Sequence, residues 1–253
     1  MSQSFSIQLG KFLYKNAFPL YNGIYPIFKR RQDAQELKLI SSIVKPGFNI
    51  LDIGANIGFY TKVFSELTGP KGSVHGFEPD TTNFKYLQGN LQKNKNVTLI
   101  NKAVSDKTEP LKIYLSKMLN VDHRTYPVDD YSHIMEIDAT TIDDYLSLNK
   151  IKQIDFIKMD IQGFEMSALK GMVSMLRNNP LLKIITELWP YGLSKAGSSA
   201  LEIYNFVNSQ GFGIFMITAN QLQPLTKEMI SELKQDEKNY YNVVISKENF
   251  NIN

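Results

Sequence analysis

Two rhythms of apolar and polar positions alternate along this chain. Short, nearly unbroken apolar runs at 49–53, 73–77, 97–101, 154–159, 183–188, 213–217 and 242–246 read as buried strands. Between most of them lie longer stretches, 58–67, 80–92, 164–177 and 198–209, that read as helices. Strands alternating with helices predict an α/β fold, a mainly parallel seven-stranded sheet with helices on both faces. The last strand follows a charged stretch, 226–239, and is expected to enter antiparallel, as an edge or hairpin.

The ends and the middle of the chain depart from this rhythm. Residues 1–45 read as an N-terminal helical extension to a domain over 46–253. Phe5, Leu9, Phe12, Leu13 and Tyr14 predict a first helix. The aromatic, proline-broken stretch Phe18–Pro26 is expected to be irregular. Asp33 to Val44 reads as a helix with Leu37, Ile40, Ile43 and Val44 on one face, stopped by Pro46-Gly47. An insert of about 104–139 is expected to hold two short antiparallel strands, near 111–115 and 134–138. Asp138-Ala139-Thr140 then leads into a short helix bearing Ile142, Tyr145 and Leu146.

The first strand ends in Leu51-Asp52-Ile53-Gly54-Ala55-Asn56-Ile57-Gly58 and turns directly into a helix. Such a turn brings bare backbone close to a ligand and aims helix N–H groups at it. Gly54 is expected at positive φ, and Gly58 is expected to let the helix sit close to the strand. One βα unit later, Ser73-Val74-His75-Gly76-Phe77-Glu78-Pro79 ends a strand in an acid. Nucleotide-binding folds use an acid there to accept hydrogen bonds from both ribose hydroxyls. A nicotinamide fold would show Gly-x-Gly-x-x-Gly, whose backbone takes a pyrophosphate. Here Asp52 stands at the strand end, where an acid repels a pyrophosphate and suits a cationic amine. S-adenosylmethionine carries an α-amino group, a sulfonium and no phosphate. Asp52, Gly54 and Glu78 therefore fit it better than NAD.

Composition narrows the setting. With 253 residues, 43% hydrophobic and 21% charged, the chain suits a folded domain with a full core. A net charge of +3 is too mild to imply a nucleic-acid partner. The absence of cysteine removes disulfides, thiolate-bound zinc and thiol nucleophiles. No apolar run is long enough to span a membrane, and Met1 to Leu9 lacks the form of a secretory signal, so a cytoplasmic enzyme is expected. Lys29-Arg30-Arg31 is either a solvated face or a hold on an acidic substrate or membrane surface.

Ligands of open α/β sheets sit at the carboxyl ends of the strands. The third strand ends near Asn101, and Ser105 or Asp106 beyond it is either an adenine contact or an ordinary turn. Lys158 lies inside an apolar strand and needs a partner, for which Asp160, Glu165 and Glu187 are candidates. It is either a structural ion pair or a base or orienting cation for substrate. Asp160 and Glu187 end neighbouring strands, where two carboxylates bind a divalent ion such as Mg²⁺ or share a proton. Glu165 either joins them or favours the dipole of its own helix. Of the three histidines, His75 lies in a strand and reads as structural. His123, in a polar loop between Asp122 and Arg124, is either a solvent-exposed loop histidine or a general base.

Leu51–Gly58, Phe77-Glu78-Pro79, Ala103-Val104-Ser105-Asp106 and above all Ile157-Lys158-Met159-Asp160-Ile161-Gln162-Gly163-Phe164-Glu165, with Leu169-Lys170-Gly171, resemble the FkbM family of S-adenosylmethionine-dependent methyltransferases. The likeness spans roughly 46–217. Asp122-His123-Arg124 and the run from Glu187 to Leu193 resemble one bacterial branch of it. Gln162 stands where the family most often has Glu, which weakens any role for a carboxylate there. The resemblance implies a Rossmann-like class I methyltransferase domain. It implies a cofactor site of Asp52, Gly54, Ala55, Asn56, Gly58, Glu78, Pro79, Ala103, Val104 and Asp160. It also implies O-methylation of a small hydroxyl acceptor, a sugar or other natural product. His123 or Lys158 is then expected to remove the acceptor's proton, and Asp160 with Glu187 to orient it, with Mg²⁺ as an option. N-methylation, or a binding module without catalysis, are the rival readings.

Overall fold

The structure is a computed structural model that describes residues 10, 12–116, 131–218 and 221–247, with backbone alone at 113–116 and 131–135. In chain order, α1 (Phe18–Gln32) and α2 (Ala34–Ile43) precede β1 (Asn49–Ile53), α3 (Phe59–Thr68), β2 (Ser73–Phe77), α4 (Thr81–Leu91) and β3 (Val97–Ile100). Then come β4 (Ala103–Val104), β5 (Leu111–Ser116), β6 (Tyr131–Ile137), β7 (Ala139–Thr140) and α5 (Ile142–Leu148). The chain continues through β8 (Phe156–Met159), α6 (Glu165–Lys170), α7 (Val173–Asn178), β9 (Lys183–Leu188), α8 (Pro190–Lys195) and α9 (Ala200–Ser209). It closes with β10 (Gly213–Ile217), β11 (Leu222–Pro224), α10 (Lys227–Ser231) and β12 (Tyr241–Ser246).

The main sheet runs β11-β10-β12-β9-β8-β1-β2-β3. Its half from β9 to β3 is parallel, and β12 inserts antiparallel between β9 and β10. The seven expected strands are all present, and β12 enters the sheet interior rather than an edge. The eighth strand, β11, hairpins onto β10 and ends in Pro224, which an edge strand tolerates. The insert forms the expected hairpin: β5 pairs antiparallel with β6, and β4 and β7 pair at its base.

Two sequence expectations are corrected. Residues 18–32 form a helix, because Pro19 occupies the first turn, where no N–H is needed, and Pro26 is absorbed within it. The expected helix over 164–177 is two helices. Asp143 reaches from α5 and accepts from the N–H groups of Ser174 and Met175 at 2.8 and 2.9 Å, capping a fresh N-terminus for α7.

Strand alternation sends side chains to two cores. One face buries Leu51, Ile53, Ile157, Met159, Ile184 and Leu188 against α5, α6, α7 and α9. The other buries Ile50, Phe156, Ile185 and Val244 under α3 and under Leu39, Ile40, Ile43 and Val44. The second helix therefore shares the sheet's core. Leu37, expected on its buried face, is only half-buried, and the inward stripe runs Glu36, Leu39, Ile40, Ile43. By the same parity Asp52, Lys158 and Glu187 project on the α2 side.

Candidate cofactor and acceptor site

The carboxyl ends of β1, β2 and β8 open into a shallow cleft. Gly54 sits at φ 88°, and a Cβ there would collide with the carbonyl oxygen of Asp160. The turns after β1 and β8 thus touch backbone to backbone, which only glycine permits. Gly54 and Ala55 donate their N–H groups to the Phe77 carbonyl, tying the first turn to β2 at 3.0 and 2.9 Å. Glu78 is buried at the end of β2. Its two carboxylate oxygens accept from the backbone N–H of Asn56 at 2.8 Å and of Asp80 at 2.9 Å, and the Asn83 side chain also donates. Burial still pushes its carboxyl up to about 7. With three donors on about four acceptor sites, the carboxylate keeps one position for a further donor.

Seven of the ten expected cofactor residues line the cleft: Gly54, Asn56, Glu78, Pro79, Ala103, Val104 and Asp160. Asp52, Ala55 and Gly58 do not. Asp52 is 2% exposed and accepts from the Thr61 hydroxyl at 2.5 Å, beneath α3. Burial pushes its carboxyl up to about 6. Ala55 packs on Leu87 and Leu91. Gly58 approaches Leu87 of α4 rather than β1, so its tight packing joins helix to helix. Ser105 and Asp106 turn away from the cleft and bond Ser167 of α6, in accord with the reading as an ordinary turn. Phe77, Asn83, Lys102, Ile161 and Phe164 line the cleft without having been singled out. Their common signal is position beside a strand end, which residue type alone does not reveal. Two acids, apolar walls and a free acceptor position at Glu78 suit an adenosyl group that carries positive charge. A pyrophosphate would meet those acids.

Beyond Asp160 lies a second, charged region. Gln162 takes φ 52° and its side-chain amide donates to Asp160 at 2.9 Å. Gly163 takes φ 99°, and a Cβ there would strike the backbone of Gly192, so α8 closes onto this turn. Glu165 is 1% exposed at the first turn of α6. One of its oxygens accepts from the Gly163 N–H at 3.2 Å and the other has no hydrogen bond. Burial pushes its carboxyl up to about 7. Lys158 stands opposite Asp52 and Ile185 in register. Its ammonium is 3.4 Å from Glu36 and 5.3 Å from the Tyr60 ring centre. The expected ion-pair partners were Asp160, Glu165 and Glu187, but the pair is made to α2. Burial acts to lower the lysine's pKa, yet Glu36, Asp160, Glu187 and Asp52 outweigh it and hold the ammonium above its ordinary value. A lysine so held is a fixed cation, which argues against the expected role as base.

Glu187 is half-buried one residue past the registered pair Met159–Thr186. Burial, then the charge of Asp160, push its carboxyl up to about 8, while Lys158 pulls the other way. The N-terminal helix roofs this region. Tyr25 feels burial first and Asp160 next, both raising its pKa, and Lys29 acts on Glu187 from one turn along. His123 lies outside the described residues. His75 is structural, its ring nitrogens 2.8 Å from the Tyr145 hydroxyl and 3.1 Å from that of Ser73. Among the described residues no group of three or more metal-ligating side chains occurs. Asp160 and Glu187 already have the Lys158 ammonium as neighbouring cation, so this residue set does not fit Mg²⁺. No described helix is long and apolar enough to cross a membrane.

Comparisons with known proteins place the chain in a family. Residues 52–214 match the model of the methyltransferase FkbM domain. The chain is 25% identical over 149 residues to 2-O-methyltransferase NoeI of Sinorhizobium fredii, covering 53% of this chain and 61% of that protein. It is 24% identical over 145 residues to Methyltransferase 1 of Beauveria bassiana, covering 49% and 57%. The chain thus spans about three fifths of the length of these curated relatives. A crystal structure of methyltransferase FkbM from Methylobacillus flagellatus superposes with a TM-score of 0.52 at 21% identity, over 79% of this chain and 43% of that one. The fold is that of class I methyltransferases, and the chain belongs to the methyltransferase FkbM domain family.

Proposed function

We propose that this chain moves a methyl group from S-adenosylmethionine to a hydroxyl oxygen of a small acceptor, a saccharide or similar natural product. The observation that carries the reading is the junction of two differently charged regions at one cleft. Glu78 keeps an acceptor position suited to a ribose hydroxyl, and Asp160 faces the same cleft with Glu187 behind it. S-adenosylmethionine, when bound, supplies an electrophilic methyl on a sulfonium centre. The residues of this chain supply alignment, worth several kcal/mol, and a destination for the hydroxyl proton. Glu187 is the base on this reading. Its carboxyl at about 8 matches a proton leaving a hydroxyl near neutral pH better than an ordinary glutamate does. Asp160, fixed by Gln162, orients the acceptor. Lys158 stays charged and keeps two neighbouring acids from repelling each other. The relative NoeI, a 2-O-methyltransferase by name, supports oxygen as the receiving atom.

The test is a thermal-shift screen with S-adenosylhomocysteine and NAD, followed by methyl transfer onto a panel of saccharides, polyketide alcohols and amines. Stabilisation by S-adenosylhomocysteine alone, with transfer to a hydroxyl and a rate that rises through about pH 8, is the expected result. Transfer confined to amines, with no base dependence above the amine's own pKa, would replace oxygen by nitrogen. Binding with no transfer and no slow hydrolysis would leave a binding module.

A further inference from the structure

The N-terminal helix α1 has two unlike faces. Its inner face carries Phe18, Tyr21, Tyr25 and Lys29 against the domain, in a line of ring contacts that runs on through Phe59, Tyr60 and Phe64. Its outer face carries Leu20, Ile24, Ile27 and Phe28, exposed by 54, 48, 58 and 55%. That spacing is one helical stripe. With Phe12, these make five of the eight large hydrophobic side chains exposed among the described residues, so the apolar surface is concentrated rather than scattered.

Charge says what would cover it. Residues 1–32 hold Lys11, Lys15, Lys29, Arg30 and Arg31 and not one of the chain's 25 acids. The whole chain's excess of three positive charges is more than accounted for by this segment. Lys29 turns inward to Asp33 at 2.6 Å. Arg30 and Arg31 are exposed at the end of the stripe, and Lys15 is exposed ahead of the helix. Apolar side chains bordered by the exposed Arg30 and Arg31 match an anionic bilayer surface.

We propose that α1 docks this protein onto anionic lipid bilayers, with Leu20, Ile24, Ile27 and Phe28 entering the interface and Lys15, Arg30 and Arg31 meeting lipid phosphates. The docking is independent of methyl transfer and is read without it. The full chain is sedimented with vesicles of phosphatidylcholine holding about one third phosphatidylglycerol, and with pure phosphatidylcholine. Binding to the first, at least about tenfold tighter than to the second and weakened by salt, is expected. I24E/I27E and R30E/R31E should each lose at least about tenfold in binding while keeping their thermal shift with S-adenosylhomocysteine. Ile27→Trp, which adds a reporter on the stripe, should blue-shift on meeting the anionic vesicles. Absence of sedimentation, unchanged Trp emission or full binding by I24E/I27E would overturn the proposal. So would light scattering that shows a dimer dissolved by I24E/I27E without vesicle binding, since a second copy would then be the occupant.

Discussion

The proposed cofactor and acceptor halves of the site handle their acids in opposite ways. At the β1–β2 end, Glu78 is satisfied by N–H groups of its own neighbourhood, Asp80 two residues on and Asn56 across one βαβ unit. At the β8–β9 end, Asp160 and Glu187 depend on a cation, and Lys158 is itself anchored by Glu36 from a helix far upstream. Backbone donors survive every substitution except proline and leave an acid buried but hydrogen-bonded. A borrowed cation is one side chain, and removing it leaves several charges uncompensated. The cofactor half should therefore tolerate change near it better than the acceptor half.

The sharpest way to test that difference is Glu187→Gln. If the acceptor half holds the base, kcat falls by about 10²–10⁴ and the rise through about pH 8 disappears, while calorimetry finds S-adenosylhomocysteine affinity unchanged. A variant with the parent's kcat would remove Glu187 from the chemistry. Next is Lys158→Met, which strands Glu36 in the core. Urea unfolding should find a loss of about 3–5 kcal/mol. The double variant Glu36→Met, Lys158→Met should recover most of it, because an apolar pair replaces an ionic one. A double variant as weak as the single would place the cost elsewhere.

This contrast also explains what the sequence discloses. The strands of the main sheet, apart from β11, are legible because each is a short apolar run, and the Gly54 turn and Glu78 are legible because the residues that form them are near in sequence. The partner of Lys158 is not, because it comes from a different helix and only the three-dimensional packing of α2 on β8 brings it there. A signal existed: Glu36 falls on the same three- and four-residue stripe as Leu39, Ile40 and Ile43, and a charge on an apolar stripe demands a buried partner. Helix α1 was hidden by Pro19 and Pro26, and α8 by its brevity beside Pro190. β11 was hidden because a three-residue edge strand carries almost no periodicity.

Glu78→Gln breaks the cofactor half at its centre. An amide presents N–H where Asn56 and Asp80 already donate, so one bond must be lost and the ribose site is disturbed. Calorimetry should find S-adenosylhomocysteine binding weaker by about 1.5–3 kcal/mol, with overall stability little changed. The free protein's response to pH is a broader measure. Asp52, Glu78 and Glu165 are held by burial at about 6, 7 and 7, above their ordinary values. Each binds its proton more tightly folded than unfolded. Their contribution is full below about pH 4 and is lost as pH rises through 6–7. Tm should fall between pH 5 and pH 8, and Glu187, at about 8, adds to the loss. A Tm that climbs over this range would mean these acids are ionised and well compensated.

The smallest effect asks whether the halves are as separate as their charge patterns suggest. Tyr14 lies ahead of α1, yet its hydroxyl donates to the side-chain oxygen of Asn83 at 2.5 Å, and Asn83 in turn donates to Glu78. The N-terminal segment thus touches the cofactor half through Tyr14 and the acceptor half through Tyr25 and Glu36. Tyr14→Phe keeps the ring and its edge contacts with Phe18, Tyr21 and Tyr86 and removes only the donor. Asn83 would then be freer to rotate, and Glu78 would lose its orientation rather than its backbone bonds. S-adenosylhomocysteine affinity should drop by about 0.5–1.5 kcal/mol, with kcat at saturating cofactor preserved. An unchanged affinity would confine the segment's influence to the acceptor half. A drop shared by Glu36→Gln would instead make the N-terminal segment the element through which each half senses the other.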